Sequence, residues 1–128
     1  MIGKLLDTNA VIALQRSDKA FLEFLSQNPN ILIPAIVIGE LYFGAFNSGK
    51  LEFNIAVIDA FVTKNTILHA DEITGKSYAK IRYSLKQKGH PIPENDLWIG
   101  ATAMQYNLVL VTRDKHFNVV DGLQIETW

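Results

Sequence analysis

The sequence contains no cysteine, so disulfide scaffolds and thiolate metal sites are excluded. Whatever holds this chain together must come from packing, and whatever chemistry it performs must use oxygen and nitrogen side chains. No apolar run approaches the roughly 20 residues needed to cross a bilayer, so no membrane contact is expected. An excess of charge of one sign is missing too. The 12 Lys and Arg against 13 Asp and Glu leave a formal net charge of −1, hence no global attraction to nucleic acid. Histidine is scarce, and none of the three stands at the paired spacing of a zinc site. A strand-like pattern begins within a few residues of Met1 without a basic leader, so a cytoplasmic protein is expected. What is present is a chain of 128 residues, 48% hydrophobic, long enough to bury a sizeable core. Residues 1–128 are expected to form one domain.

Taken in order, Ile2 to Leu6 reads as a short buried strand closed by Asp7-Thr8-Asn9, a polar turn able to cap the helical pattern Val11, Ile12, Leu14. From Asp18, the spacing of Phe21, Leu22 and Leu25 predicts a helix stopped by Asn28-Pro29-Asn30, and Ile31 to Ile33 predicts a second strand. Pro34 opens a helix that is apolar almost all round. Gly44 to Gly49 predicts a turn, after which Leu51, Ile55, Ile58 and Val62 repeat at helical spacing as far as Asn65. Thr66 to His69 predicts a third strand, and Asp71-Glu72 a long helix with Ile73, Ile81 and Leu85 on one side. Pro91-Ile92-Pro93-Glu94-Asn95-Asp96 then runs into a small-residue helix whose first turn Asn95 or Asp96 can cap. Leu108 to Val111 has the continuous branched pattern of a strand covered on both faces, ended by Thr112-Arg113-Asp114, and Leu123 to Glu126 alternates like an edge strand. Short buried strands alternating with helices predict a mainly parallel α/β fold, in which ligands bind beyond the carboxyl ends of the strands.

Four acids stand out by position. Asp7 and Asp114 follow strands directly, Glu40 lies less than two turns into the helix after the second strand, and Asp96 begins the helix before the fourth. Each has an ordinary explanation: acids are favoured at helix starts, and a helical Glu usually turns outward. Yet all four can reach one sheet edge. Carboxylates about 4 Å apart repel by roughly 1 kcal/mol in water and about 4 at an effective dielectric of 20, so a cluster needs compensation. A divalent cation supplies it. Oxygen-only donors favour Mg²⁺ or Mn²⁺ over Zn²⁺, with Thr8, Asn9 and Thr112 able to hold acids or waters in place. Five of the twelve basic residues (Lys76, Lys80, Arg82, Lys86, Lys88) fall in one segment, which is either a solvated helix face or a set of phosphate contacts.

The set Leu5-Leu6-Asp7-Thr8-Asn9, Gly39-Glu40-Leu41, Pro93-x-Asn95-Asp96-Leu97-x-Ile99-Gly100-Ala101-x-Ala103 and Val111-Thr112-Arg113-Asp114-Lys115-His116-Phe117 closely resembles PIN-domain ribonucleases, in particular VapC-type toxins of bacterial type II toxin–antitoxin pairs. The resemblance covers the whole chain in order and spacing. It implies a PIN-like fold, a mainly parallel twisted sheet of about four to five strands flanked by helices. It further implies a metal-dependent endoribonuclease acting on structured RNA, a homodimer, and a VapB-type antitoxin that blocks the site. By motif, Asp7, Glu40, Asp96 and Asp114 match the family's metal-binding catalytic acids, and Thr112 a supporting hydroxyl. Lys80, Arg82, Lys86 and Arg113 are the candidate RNA contacts. Gly100 stands where many relatives have Ala, and His116 where some carry another acid, which weakens the case for a permanently filled second metal site. Two other readings are a catalytically inactive PIN-like module that binds RNA or protein, against which the intact quartet counts, and a PIN nuclease of RNA processing without an antitoxin.

Overall fold

Two strands that run straight into a polar, acid-bearing turn frame the molecule, here a computed structural model that describes residues 2–26 and 30–128. Strand β1 (Lys4–Leu6) ends at Asp7, whose carboxylate accepts the Ala10 amide at 2.8 Å and so caps helix α1 (Thr8–Gln15). Asp18 repeats the device for α2 (Lys19–Leu25), accepting the Phe21 amide at 2.9 Å. Strand β2 (Ile31–Pro34) passes directly into α3 (Ala35–Phe46), with Pro34 preset for the helix entry. Then come α4 (Leu51–Lys64), β3 (Thr66–Leu68), α5 (Glu72–Lys88), α6 (Glu94–Tyr106), β4 (Val109–Val111), a 3₁₀ turn at Lys115–Val119 and β5 (Ile125–Glu126). A full capping box of Asp71 with Thr74 starts α5, and Gly89 in the left-handed conformation (φ 71°) ends it.

All five strands are parallel, in the order β3-β2-β1-β4-β5. The chain adds β2 and β3 on one side of β1 and then returns to place β4 on the other, so the strand order reverses between β1 and β4. Crevices form at such reversal points, beyond the carboxyl ends. The ladder continues one step past the strands, where the Asp7 amide donates to the Val111 carbonyl at 3.3 Å. Leu5, Leu6, Ile33, Leu110 and Val111 are fully buried in the main core, as the apolar runs predicted. A second cluster of Ile81, Leu85, Leu97, Ala101 and Val120 binds α5 to α6, and burying each large side chain contributes about 1.5–3 kcal/mol. At the far end Trp128 packs edge-on to Phe21 with ring centroids 5.0 Å apart, tying down the edge strand.

Several sequence expectations are corrected. Gly44 does not begin a turn: α3 continues through it to Phe46, since a helical Gly costs only about 1 kcal/mol and Leu41 and Ala45 are buried on the same helix. The turn is confined to residues 47–50. Ile73 does not face the core but is exposed, and Thr74 takes the buried position in line with Ile81 and Leu85. Neither Asn95 nor Asp96 caps α6, because Pro93 holds that position and no side chain bonds the first turn. Helix α2 ends at Leu25, before the expected stop, of which Asn28 and Pro29 lie outside the described residues.

Candidate metal centre

With the capping role removed, Asp96 is a third-residue acid on α6 that turns toward the β1–β4 crevice. There it lines a hollow of about 240 Å³ together with Asp7, Thr8, Asn9, Glu40, Pro93, Asn95, Ile99, Asp114 and His116. All four acids singled out from the sequence therefore meet, brought by β1, α3, α6 and the turn after β4.

The walls of the hollow are hydrogen-bonded from behind. One Asp7 oxygen takes the Ala10 amide, and the other takes the Thr112 hydroxyl. Thr112 in turn accepts the Asp114 amide at 2.9 Å, so a single buried hydroxyl couples the acids that follow β1 and β4. Asp114 caps the 3₁₀ turn through the His116 amide at 2.9 Å, which directs the imidazole back to the site. His116 Nδ1 then lies 3.0 Å from Asp114 Oδ1 and 3.2 Å from Asp96 Oδ2. A continuous chain thus runs from Asp7 through Thr112, Asp114 and His116 to Asp96.

Electrostatics makes this arrangement unfavourable without a cation. Burial pushes the Asp7 carboxyl above the ordinary carboxylate range; its bonds to Thr112 and Ala10 oppose that, and the charges of Asp114 and Asp96 add to it. Asp96 is raised likewise, first by burial, against the His116 contact and with Asp114 and Glu40 adding repulsion. Whether the residues fit a metal is answered by two atoms. Glu40 Oε1 and Thr8 Oγ1 are buried and have no hydrogen-bond partner among the described residues. An unpaired buried carboxylate oxygen is costly, and in a hollow lined by three further acids a cation could supply the partner it lacks. The donors are carboxylates and a hydroxyl with one imidazole nearby, a set that suits a hard divalent ion rather than a thiolate or His-rich site.

The supporting polar residues sort differently. Thr112 is buried behind Asp7, whereas Asn9 is exposed at the rim. Of the candidate RNA contacts, Arg113 is turned away: its Nε donates to the Trp128 carbonyl at 2.7 Å and its guanidinium covers the Trp128 ring at 4.5 Å. Arg82 is engaged by the Tyr78 hydroxyl at 2.7 Å and by Glu94 at 3.9 Å. Among the described residues Lys80 and Lys86 have no acidic partner within ion-pair range. Arg82 and Lys86 line a separate hollow of about 440 Å³ with Pro91, Ile92 and Glu94. The segment 91–96 thus separates the basic hollow from the acidic one.

His116 is the residue the sequence reading undervalued. Its proximity depends on the 3₁₀ turn; the signal available was the Asp114-x-His116 spacing alone.

Comparison with known proteins gives a consistent picture. The PIN domain family matches residues 4–123. The ribonuclease VapC1 of Haemophilus influenzae (strain R2866) is 35% identical over 129 residues, covering 97% of this chain and 96% of the relative. The tRNA(fMet)-specific endonuclease VapC of Shigella flexneri is 30% identical over 131 residues, covering 100% and 99%. Among solved structures, VapBC2 from Rickettsia felis, bound to a DNA fragment from its promoter, superposes with a TM-score of 0.86 at 34% identity, covering 100% of this chain and 99% of that one.

Proposed function

The chain belongs to the PIN domain family, and from that premise we propose that it is a metal-dependent endoribonuclease, the toxin of a type II toxin–antitoxin pair, built as a single PIN domain over residues 1–128 and working in the cytoplasm. The observation that carries this reading is that Asp7, Glu40, Asp96 and Asp114 line one hollow, with a buried Glu40 oxygen that has no partner among the described residues.

These four acids are the residues that would hold Mg²⁺ or Mn²⁺. Bound there, the ion supplies Lewis-acid polarisation of a phosphodiester and makes water acidic enough to attack at neutral pH. The protein's own contribution is positioning. Asp7 is held by the Ala10 amide and the Thr112 hydroxyl, so its carboxylate is oriented before any substrate arrives. Through the Asp114 amide, Thr112 also sets where the second strand-end acid stands. Asn9 at the rim and the free Thr8 hydroxyl are placed to orient a water or a phosphate oxygen. Of the four candidate contacts, Lys80 and Lys86 are the two without an acidic partner among the described residues, whereas Arg82 and Arg113 are already engaged within the chain.

The antitoxin reading has its own support. A groove of about 390 Å³ between α1, α3 and α4, lined by Ile12, Leu41, Phe53 and Val57, opens onto Thr8 and Glu40. Phe53 in its wall is about two-thirds exposed, as are Phe43 and Phe46 on α3. A VapB-type antitoxin laid in that groove would reach the acids and block them, and self-association as a homodimer would cover further apolar surface.

The test is sequencing of RNA 5′ ends after brief induction of the parent and of Asp96→Asn. New ends at a small set of sites are expected with the parent alone. Asp7→Asn and Glu40→Gln should each remove nearly all cleavage, without adding to the loss in Asp96→Asn, because groups acting on one ion do not contribute separately. Asp114→Asn should be milder only where that acid serves a second ion recruited with substrate; as a ligand of the same ion it should match Asp96→Asn. Identical end profiles for parent and Asp96→Asn would refute the assignment.

A further inference from the structure

We propose that His116 is a direct ligand of the ion, contributing Nδ1 beside Asp96 and Asp114, and that this nitrogen inclines the site toward Mn²⁺ over Mg²⁺. The inference rests on the metal-centre reading above and deepens it: there the histidine was only a neighbour of the acids.

Spacing carries the argument. His116 Nδ1 stands 3.0 Å from Asp114 Oδ1 and 3.2 Å from Asp96 Oδ2, and one donor atom from each of the three residues falls within a sphere where no pair is more than 4.8 Å apart. Donors about 2.1 Å from an octahedral ion stand about 3 Å apart when adjacent and about 4.2 Å apart when opposite. The imidazole nitrogen therefore has the separation of an adjacent donor to both carboxylates. Its orientation is also imposed. The His116 amide is bonded to Asp114 Oδ1 at 2.9 Å within the 3₁₀ turn, so backbone and ring are set by the acid with which the ring would share the ion. Among the described residues no other partner draws the ring away, and its half-exposed outer edge faces solvent.

A simpler account makes His116 an imidazolium paired with two carboxylates, standing in for the cation and displaced when it binds. The two accounts agree on the metal-free protein and differ once it is loaded. They also differ in selectivity. Imidazole is a good ligand for Mn²⁺ and the later transition ions and a poor one for Mg²⁺, which demands oxygen and keeps its waters. A displaced imidazolium would instead weaken both ions alike.

The experiment is pulsed electron paramagnetic resonance of Mn²⁺ bound to the full chain in a nitrogen-free buffer, with Mn²⁺ and Mg²⁺ affinities measured alongside. Parent, His116→Gln and His116→Asp are compared, with Asp96→Asn as a control on the centre itself. The ring is at the surface of the hollow, so both His116 variants should fold. Expected are a directly coordinated ¹⁴N signal in the parent that vanishes in both His116 variants, and a Mn²⁺ to Mg²⁺ affinity ratio about tenfold lower in His116→Asp. Tight Mn²⁺ binding without a nitrogen signal, or a signal that persists in the His116 variants, overturns the proposal and leaves the acid centre standing. Failure of Mn²⁺ to bind the parent more tightly than Asp96→Asn overturns both.

Discussion

Replacing Asp96 by Asn removes one negative charge from the cluster while preserving shape, and the structure fixes the sign of the effect under two conditions. Helix α6 does not need the carboxylate as a cap, because no side chain caps its first turn. The change in stability is therefore what relief of repulsion in the site gains, less the roughly 0.3–1 kcal/mol that an acid in the first turn owes to the helix dipole. The nearest oxygens of Asp96 and Asp114 lie within 4.8 Å, where two unit charges repel by about 0.9 kcal/mol in water and about 3.5 at an effective dielectric of 20. The Asp96 side chain is 14% exposed, which puts it between those limits, and attraction to His116 offsets part of the repulsion. A net gain of about 1 kcal/mol is expected for Asp96→Asn in EDTA, a rise in Tm on the order of 4 °C for a chain of this size. With Mg²⁺ at a hundred times its Kd the parent should gain about 2.7 kcal/mol by mass action, and the variant much less. The order of the two melting temperatures should therefore reverse between EDTA and excess Mg²⁺. Thermal melts by circular dichroism decide it. Equal increments on adding Mg²⁺ would mean that Asp96 is not a ligand, and a lower Tm for the variant in EDTA would mean that the cluster is not repulsive.

Two further outcomes follow from the same geometry. Because the folded-state carboxyls of Asp7 and Asp96 are raised, the metal-free protein binds more protons than the unfolded chain above about pH 4, so these groups lose stability as pH rises through their folded values. In EDTA the Tm advantage of Asp96→Asn should then shrink as the buffer is taken from about pH 7 toward pH 4; a gap that widens on acidification would contradict the shift. Lys80→Ala and Lys86→Ala should weaken RNA binding evenly across sequences and lower the salt dependence by roughly one unit per lost contact, with a smaller effect for Arg82→Ala because Tyr78 and Glu94 already hold that side chain. An unchanged salt slope in filter-binding titrations would return α5 to being a solvated face.

Much of this was legible in the residues, for reasons that differ from place to place. Asp7, Asp18 and Asp71 each precede an apolar helical pattern, and a short acceptor side chain at that position is a local signal needing no tertiary knowledge. The Gly44 error has the opposite origin. Glycine's local preference pointed to a turn, while the packing of Leu41 and Ala45 on the same helix decided for continuity. Ile73 was misplaced because eight residues separate it from Ile81, just over two helical turns, which moves it off the face that Thr74, Ile81 and Leu85 share. Thr74, being polar, gave no hydropathy signal for its buried position; it is retained there by hydrogen bonds to Asp71 and Gln105. His116 was harder still, since a single turn of 3₁₀ helix determines whether its ring meets the acids or the solvent.

What no strand pattern contains is strand order, and the centre depends on it. Asp7 and Asp114 each follow a buried strand, but 107 positions separate them in the chain, and only the placement of β4 against β1 rather than against β3 makes them neighbours. The pairing is reinforced at its carboxyl end, where the Asp7 amide bonds the Val111 carbonyl and the Thr112 hydroxyl bonds the Asp7 carboxylate. Thr112 therefore acts on both sheet and site: it satisfies a buried acid that would otherwise strain the β1–β4 junction, and through the Asp114 amide it orients the acid contributed by the other strand. Val at this position would keep the β-branched shape but lose the hydroxyl, leaving an Asp7 oxygen unpaired in a buried place, where the cost is about 1–3 kcal/mol or more for a charged group. The crevice at the strand reversal is thus held by the same hydroxyl that prepares its carboxylates, which is why the reversal point and the candidate metal centre coincide.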